Sequence, residues 1–221
     1  MPANRRDGVS AQLAEGVDEA QWRRAWSAHL ALTHLVDDLV GRLLASLDQH
    51  GVAEDTLVVF TSDHGDHLGQ HSMYQKMELY DQSSRVPLII RGPDVKANQR
   101  IETPVSHLDL MPTVLAMSGN SGPAGLDGRS LGSVLRGEET LAEMPVFTQF
   151  TGNNGPSVAR YAVIYRDHKL ISDAVGGSEL YDLKNDPLEM QNRAGDPAFA
   201  NIEGELTALI HARLSETAPA M

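Results

Sequence analysis

Apolar and polar residues alternate at helical spacing along a long stretch near the start of the chain. Asp18 and Gln21 have the spacing of a capping box, and Gly51 ends the repeat. Between them, apolar side chains recur every three or four residues, at Trp22, Trp26, Leu30, Val36, Val40, Leu43, Leu44 and Leu47. The pattern predicts one long amphipathic helix with its apolar face packed on a sheet.

Short apolar runs follow this predicted helix. Residues 56–61 are β-branched and aromatic without a charge, which is typical of a strand buried on both faces of a parallel sheet. Residues 86–90 have the same character, and Pro87 stands near the start, where a missing donor is tolerated. Ser106 then predicts the start of another helix over 107–117. These elements predict an α/β fold with a partial parallel sheet flanked by helices.

The pattern changes beyond the stretch 119–132, which contains several Gly and Pro residues. Turn residues then separate short candidate strands at 146–150, 159–165, 169–172 and 179–183. Their spacing predicts a small antiparallel sheet. A final helix is expected over 197–215, with Ile202, Leu206, Leu209, Ile210 and Leu214 on one face.

These patterns divide the chain into three parts. Residues 1–17 are polar and small without a period, and we expect a mobile lead-in there. Residues 18–132 are expected to form an α/β catalytic part. Residues 133–221 are expected to form a small antiparallel subdomain with the final helix.

Composition excludes several classes of protein. Hydrophobic residues make up 41% and charged residues 22%, and no apolar run approaches the roughly 20 residues that cross a bilayer. The N-terminus lacks the apolar region of a secretory signal, so we expect the cytoplasm, or the periplasm if a preceding segment is missing. A formal net charge of −12 argues against nucleic acid as a partner.

A cluster of polar residues stands where the strand 56–61 ends. Open α/β folds bind ligands beyond the carboxyl ends of their strands. Asp63 and His64 can both contact one cation if the chain turns sharply at Gly65, so we interpret them as metal ligands. The alternative is an ordinary turn, since Asp- and Gly-rich loops often follow strands. Asp66 and His67 are interpreted as supporting or solvated loop residues.

The same stretch resembles a known family. The strand ends in Ser62-Asp63-His64-Gly65, followed by Gly69-Gln70-His71 and then Lys76. This order is similar to the S-D-[HN]-G, G-x-H and lysine motifs of the sulfatase branch of the alkaline phosphatase superfamily. His64 in place of Asn is most similar to the choline sulfatase and phosphonate monoester hydrolase subgroup.

Two further stretches agree with this resemblance. Residues 37–44 reproduce the D-D-x-V-G-R-L-L pattern of the family's helix before the S-D-H-G strand. Residues 179–189 look like the family's C-terminal signature, E-L-Y-D-L-x-x-D-P-x-E. The resemblance covers about residues 20–195 and implies an alkaline-phosphatase-like sheet.

The resemblance also implies roles for individual residues. Asp63 and His64 fall on the family's metal-binding pair, and Lys76 falls on the lysine that contacts the substrate's sulfate. His71 falls on the G-x-H histidine, which either orients the loop or contacts the substrate. The implied cofactor is a divalent cation, calcium or manganese, and His64 favours manganese because calcium prefers oxygen ligands.

The implied reaction is attack by a hydrated formylglycine oxygen on sulfur, with the lysine neutralising developing charge. This chain contains no cysteine, so formylglycine cannot form in it. The nearest serine candidate, Ser157-Val158-Ala159-Arg160, has its arginine one place too early. The family's early strand, with two further acidic metal ligands, has no counterpart either. We therefore expect the chain alone to be inactive or incomplete.

Two classes of function stay open. The first is a hydrolase of sulfate esters, or of phosphonate and phosphate esters, whose N-terminal half is truncated, split off or supplied by another chain; a homo-oligomer is a further possible partner. The second is a non-catalytic sulfatase-like module. In either case the missing strands would leave an unpaired edge on the sheet.

Overall fold

A computed structural model describes residues 9–151, 159–173 and 177–217. The chain divides into two compact units. Unit 1 comprises residues 1–15, 64–85 and 142–221, and unit 2 comprises residues 16–63 and 86–141. This division follows contacts, and the three parts predicted from the sequence stay a prediction.

The helices and strands are numbered in chain order. The α-helices are α1 (Val9–Ala14), α2 (Glu19–Gln49), α3 (Asp81–Ser84), α4 (Leu110–Met117), α5 (Gly132–Leu135) and α6 (Ala200–Thr217). The strands are β1 (Val58–Thr61), β2 (Leu88–Arg91), β3 (Val146–Phe150), β4 (Arg160–Tyr165), β5 (His168–Asp173) and β6 (Ser178–Asp182). Short 3₁₀ turns occur at Ala53–Asp55, Gln70–Ser72, His107–Asp109 and Pro197–Phe199.

Helix α2 of unit 2 begins at the predicted capping box. The Asp18 carboxylate accepts a hydrogen bond from the Gln21 amide at 2.7 Å, and the Gln21 side chain accepts one from the Asp18 amide at 2.8 Å. The helix is therefore confirmed, but no residue in it is buried. The expectation that its apolar face packs on a sheet is wrong, because residues 26–39 are all exposed and no other described residue covers them. Neither α2 nor another described helix is long and apolar enough to cross a membrane.

Strands β1 and β2 form a two-stranded sheet in unit 2. They run antiparallel, with Val58 opposite Arg91 and Thr61 opposite Leu88. The predicted parallel pairing is therefore wrong for these two strands. In a parallel pair, the connecting segment must bring the chain back to the end at which the first strand began. Here β2 instead begins beside the end of β1, where Leu88 lies opposite Thr61.

The strands of this sheet are also less buried than their sequence predicts. Phe60 in β1 is 36% exposed and Ile89 in β2 is 61% exposed, so burial on both faces is not observed. Each strand keeps one edge without a strand partner among the described residues. The apolar run nevertheless predicted the strands themselves correctly.

The helix predicted over residues 107–117 of unit 2 is confirmed as a 3₁₀ turn followed by α4. Asp109 is buried and its carboxylate accepts hydrogen bonds from the amides of Ser106 at 3.0 Å and Arg129 at 2.8 Å. Asp109 thus ties the helix start to the Gly-rich stretch that follows α4. A β-carbon at Gly128 would lie 1.9 Å from the Leu108 carbonyl oxygen, so this contact requires glycine.

Unit 1 is built on the antiparallel sheet β3-β4-β5-β6, which confirms the predicted small sheet. Successive residues of a strand point to opposite faces. On one face, Val163, Leu170 and Leu180 pack against Leu206 and Ile210 of the predicted final helix, α6. The other face packs against the segment 64–85, through Ala162, Ile171 and Tyr181 on the sheet and Met73, Leu79 and Tyr80 on the segment.

The predicted lead-in is partly helical. Residues 9–14 form α1, and residues 1–8 lie outside the described part of the chain. Ser10 is buried, its carbonyl accepts a hydrogen bond from the Tyr74 amide at 2.9 Å, and its hydroxyl accepts one from the Met77 amide at 3.3 Å. The end of the lead-in therefore packs inside unit 1.

Candidate functional site

Residues 64–85 of unit 1, called the strap below, carry most of the predicted site residues. The strap is closed at its base by a hydrogen bond from the Gly65 amide to the Ser83 carbonyl at 2.8 Å. A β-carbon at Gly65 would lie 2.0 Å from the carbonyl oxygen of Gln82. Gly65 is needed for this close approach, and its φ is not in the left-handed region that a tight glycine turn would use.

The middle of the strap holds an unusual backbone conformation. Leu68, His71, Ser72 and Gln75 all have positive φ, between 45° and 67°. Such a conformation costs non-glycine residues of order 1–3 kcal/mol each and persists only where surrounding contacts hold it. Four such positions within residues 68–75 indicate that the fold holds this stretch in one strained shape.

His64 is half-buried and its tautomer is fixed. Its Nδ1 lies 2.9 Å from the carbonyl oxygen of Gly65. Because a carbonyl only accepts, Nδ1 carries a proton, which leaves Nε2 as the ring atom that can bind a cation. Asp63, the adjacent predicted ligand, is exposed and belongs to unit 2.

The two predicted metal ligands do not complete a metal site by themselves. Among the described residues there is no group of three or more His, Cys, Asp or Glu side chains arranged to hold a metal ion. A catalytic zinc ion, for comparison, is normally held by three protein ligands. The donors present therefore fit at most part of a metal site.

Lys76 is exposed on the strap. Its backbone carbonyl accepts a hydrogen bond from the Ser83 hydroxyl at 2.8 Å, which ties the residue to the base of the strap. The ammonium group is thus presented to solvent from an anchored backbone. A lysine in this setting suits an anion as a compact point charge.

His71 lies inside the strap and not on its surface. It is 7% exposed, and its ring stacks on Tyr80 with the ring centroids 4.2 Å apart and the planes at 10°. Burial lowers the pKa of His71, while the Glu179 carboxylate and the Leu188 carbonyl act in the opposite direction. The imidazole is therefore held neutral at neutral pH.

His67 is also buried, which excludes the solvated alternative and leaves the supporting role that the sequence also allowed. It is 1% exposed and its ring meets the rings of Tyr80 and His71 edge-on, at centroid distances of 6.0 and 6.3 Å. Burial, followed by the charge of His71, lowers its pKa to about 4. Asp66 supports the loop as expected, since its carboxylate accepts a hydrogen bond from the Leu68 amide at 2.9 Å.

The sequence did not indicate a buried ionic cluster that anchors the strap to the sheet. The Lys169 ammonium in β5 lies 2.6 Å from the Asp81 carboxylate and 2.7 Å from the Glu189 carboxylate. Glu189 also accepts a hydrogen bond from the Asp81 amide at 2.6 Å. The available signal was the motif at 179–189, in which Glu189 is the last charged residue.

Other predicted residues have simple structural roles or lie outside the described residues. Arg85, which precedes strand β2, pairs with Asp81 at 3.5 Å. Glu78, which the sequence did not single out, is buried and forms an ion pair with Arg160 of β4. Ser157, the nearest serine candidate for a nucleophile, lies outside the described residues.

Two protein-family models match the chain. The Sulfatase model matches residues 5–120, and the model for the C-terminal region of N-sulphoglucosamine sulphohydrolase matches residues 69–216. Together they cover nearly the whole chain, and both include residues 69–85 of the strap.

Individual relatives agree with these models. A choline-sulfatase of Rhizobium meliloti is 35% identical over 199 residues, which are 87% of this chain and 37% of the relative. A protein solved with its substrate D-glucosamine-2-N,6-O-disulfate is 30% identical with a TM-score of 0.82, over 92% of this chain and 44% of that one. The phosphonate monoester hydrolase of Agrobacterium radiobacter is 30% identical with a TM-score of 0.73, over 81% of this chain and 39% of that one.

These matches bear on the fold and on the length of the chain. The solved relatives have the alkaline-phosphatase-like fold that the motifs predict, and the predicted subgroup is represented among them. The chain spans less than half the length of each of these relatives.

Proposed function

Because this chain belongs to the sulfatase family, we propose that it serves in the hydrolysis of sulfate esters, as the part of a catalytic domain that holds the substrate's anionic group. The observation that carries the proposal is that both family models include the segment with Gly69, His71 and Lys76. The charged positions of the family's motif are all retained in that segment.

We assign the strap residues distinct tasks in this function. Lys76, exposed on an anchored backbone, contacts the sulfate oxygens and neutralises the charge that develops on them. Asp63 and His64 contribute an oxygen and a nitrogen ligand to a divalent cation, and His64 favours manganese over calcium. When bound, such a cation supplies Lewis acidity at the sulfate. Of the two roles that the resemblance leaves open for His71, orienting the loop or contacting the substrate, we assign it the second.

The proposal includes a further polypeptide segment, in the same protein or in another chain. The nucleophile of the family derives from cysteine, and these 221 residues contain none. Helix α2 also presents a stripe of exposed apolar side chains, at Leu32, Leu35, Val36, Leu39 and Leu43. At about 100° per residue these five positions fall within an arc of about 100°, the width of a face that normally packs on another element. We propose that the missing part of the domain covers this stripe.

The substrate class is proposed from the relatives. One relative is described with D-glucosamine-2-N,6-O-disulfate as its substrate, and another is a choline-sulfatase, so a small sulfate ester is the first candidate. The phosphonate monoester hydrolase among the solved relatives makes an aryl phosphonate monoester the second candidate.

The test is a reconstitution. The purified chain is mixed with the part of the Rhizobium meliloti choline-sulfatase that precedes the matched region, produced with its formylglycine, in the presence of Mn²⁺ or Ca²⁺. Hydrolysis of an aryl sulfate and of an aryl phosphonate monoester is then followed. We expect no turnover by either component alone and turnover of the sulfate by the mixture.

Two lysine variants make the test specific for the strap. Lys76→Ala should lower kcat/KM of the mixture by about 10²–10³-fold, the usual effect of losing a group that stabilises transition-state charge. Lys184→Ala, which removes another exposed lysine of unit 1, should leave kcat/KM unchanged. Rapid turnover by the chain alone would contradict the need for a second segment. A mixture that forms a stable complex without turnover would indicate the non-catalytic module.

A further inference from the structure

The His71 ring is buried without a hydrogen bond that fixes its orientation. Neither of its nitrogens is in hydrogen-bonding geometry with a described residue. The Leu188 carbonyl raises the pKa of His71 without meeting that geometry. The flat face of the ring instead rests on Tyr80, 4.2 Å away between centroids. Since the terminal torsion of histidine is broad, the orientation of this imidazole depends on the ring against which it stacks.

Tyr80 is itself fixed by a residue of the sheet. Tyr80 is fully buried, and its hydroxyl donates to Oε2 of Glu179 in β6 at 2.6 Å. A hydrogen bond to a carboxylate is roughly twice as strong as one between neutral groups. Glu179 is 1% exposed, so this bond is formed away from solvent. The phenol ring is therefore held at its outer end as well as at its backbone.

The backbone conformation of His71 indicates that the stacking of His71 on Tyr80 has a functional role in addition to core packing. His71 has φ 54° and ψ 18°, a left-handed conformation that costs a non-glycine residue about 1–3 kcal/mol. Strain of this kind persists where the surrounding contacts determine the conformation, and it concentrates at functional sites.

We infer that Glu179 is a positioning residue for His71: its hydrogen bond fixes the Tyr80 ring, and that ring sets the orientation of the His71 imidazole in the strap. The inference deepens the proposed function, because it connects β6 of the C-terminal sheet with a substrate contact on the strap. It rests on that function only for what His71 does in the reaction.

Tyr181 provides an internal control for this connection. Its hydroxyl donates to the same Oε2 of Glu179, also at 2.6 Å. Tyr80 and Tyr181 meet edge-on, with centroids 6.0 Å apart, but it is the Tyr80 ring that stacks on His71. Removing either hydroxyl deletes one oxygen from the same buried cluster, whereas only the first change frees the ring that supports His71.

The experiment is proton NMR of the full chain with isotopically labelled histidine. The Cε1–H signal of His71 is identified among those of the nine histidines by its absence from His71→Gln. A ring stacked on tyrosine should give a signal displaced upfield. We expect Tyr80→Phe to reduce the upfield displacement and to broaden the signal. Tyr80→Leu and Glu179→Ala should abolish the displacement. Tyr181→Phe should keep it, and so should Glu179→Gln, since glutamine still offers an oxygen acceptor.

The decisive comparison is between Tyr80→Phe and Tyr181→Phe, which differ only in which phenol loses its oxygen. A general effect on the fold predicts equal changes in both variants, and an irrelevant hydrogen bond predicts none in either; both results would overturn the inference. If Glu179→Ala fails to fold, this pair of conservative variants still decides. The signal is read without substrate, so a reconstituted enzyme that fails to hydrolyse sulfate would count against the proposed function alone.

Discussion

Lys169 carries a charge in the interior of unit 1, with no exposed surface, between the carboxylates of Asp81 and Glu189. Burial raises the pKa of the Glu189 carboxyl, whereas the neighbouring Lys169 ammonium opposes that rise. A buried ion pair is not by itself a large source of stability, but breaking one leaves an uncompensated charge in the interior. The cluster therefore makes the strap's attachment sensitive to a single side chain.

The first prediction concerns this cluster. Lys169→Met should lower the free energy of unfolding of unit 1 by about 3–5 kcal/mol, because two carboxylates lose their common cation. Urea denaturation measures the change. Lys184→Met, the same substitution at an exposed lysine of the unit, should stay within about 0.5 kcal/mol. Equal stabilities of the two variants would show that the cluster does not anchor the strap.

The second prediction concerns pH. The pKa of His67 is about 4 in the folded protein against 6.5 in the unfolded chain, so the unfolded chain binds more protons between these values. The neutral histidine is fully tolerated above pH 6.5, and stability is lost as the pH falls from 6.5 towards 4. At about 1.4 kcal/mol per pH unit, the loss attributable to His67 approaches about 3 kcal/mol.

The control for this prediction is His67→Phe, which keeps an aromatic ring and removes the titration. The difference in unfolding free energy between the original protein and this variant should change across pH 6.5 to 4 and stay constant above pH 7. His67 and His71 act on each other's charge, so the difference measures the titration of His67 together with its coupling to His71. A constant difference across the whole range would mean that His67 is protonated as easily in the folded state as in water.

Contacts over long distances in the sequence explain which site residues were missed. The capping box at Asp18 and the spacing of the short strands in 146–183 are local patterns, and the structure confirms them. The hydrogen bond from Tyr80 to Glu179 joins residues 99 positions apart, and the ion pair of Lys169 with Asp81 joins residues 88 apart. Nothing in the sequence around these residues specifies a distant partner, so the motif at 179–189 singled out Glu179 without indicating its contact with Tyr80.

The strap depends on one glycine at its base. Gly65→Ala should destabilise unit 1 by about 1–3 kcal/mol, because the new methyl group would overlap the Gln82 carbonyl oxygen, 2.0 Å from the β-carbon position. Gly204→Ala, in the middle of α6 with no atom within 4 Å of the β-carbon position, should instead stabilise the unit by about 0.5–1 kcal/mol. Thermal unfolding of the two variants measures both. Similar effects of the two changes would mean that the strap opens to accommodate a side chain.

Helix α2 offers a test of whether its apolar stripe serves the helix or another polypeptide. Leu35 and Leu39 are 52% and 48% exposed, and lysine forms helices about as well as leucine, so Leu35→Lys combined with Leu39→Lys should leave helix content and melting temperature nearly unchanged. Self-association in sedimentation experiments should fall, since the exposed apolar stripe is interrupted. Leu206→Lys in α6, at a fully buried position, should abolish folding of unit 1.

The sheets show how far local sequence determines pairing. The four strands of unit 1 follow one another in sequence order, so short turns bring each strand beside the previous one. The pair β1–β2 is separated by the strap, and its antiparallel direction is not encoded in either strand. The same apolar composition suits parallel and antiparallel neighbours, which is why the sequence predicted the strands but not their relative direction.

The two units can be followed separately because their aromatic residues are segregated. Both tryptophans, Trp22 and Trp26, lie on α2 of unit 2, and all five tyrosines lie in unit 1, at 74, 80, 161, 165 and 181. Trp26 is 41% exposed, so the native protein should emit at long wavelength. We expect tyrosine fluorescence of a Trp22→Phe, Trp26→Phe variant to change at a higher urea concentration than the tryptophan fluorescence of the original protein. The reason is that the described residues of unit 1 form two buried apolar clusters. Coincident transitions would show that the chain unfolds as one cooperative body.

The antiparallel pairing of Thr61 with Leu88 also defines where the strap is inserted. In terms of chain topology, β1 and β2 form a hairpin whose turn has been replaced by the whole of residues 62–87. Unit 2 is therefore continuous in sequence apart from one insertion, and the inserted residues 64–85, which include His64, His71 and Lys76, belong to unit 1. Variation within the inserted segment can change the chemistry presented by the strap while the register of the host hairpin is preserved, much as an exchangeable loop is grafted onto a fixed scaffold.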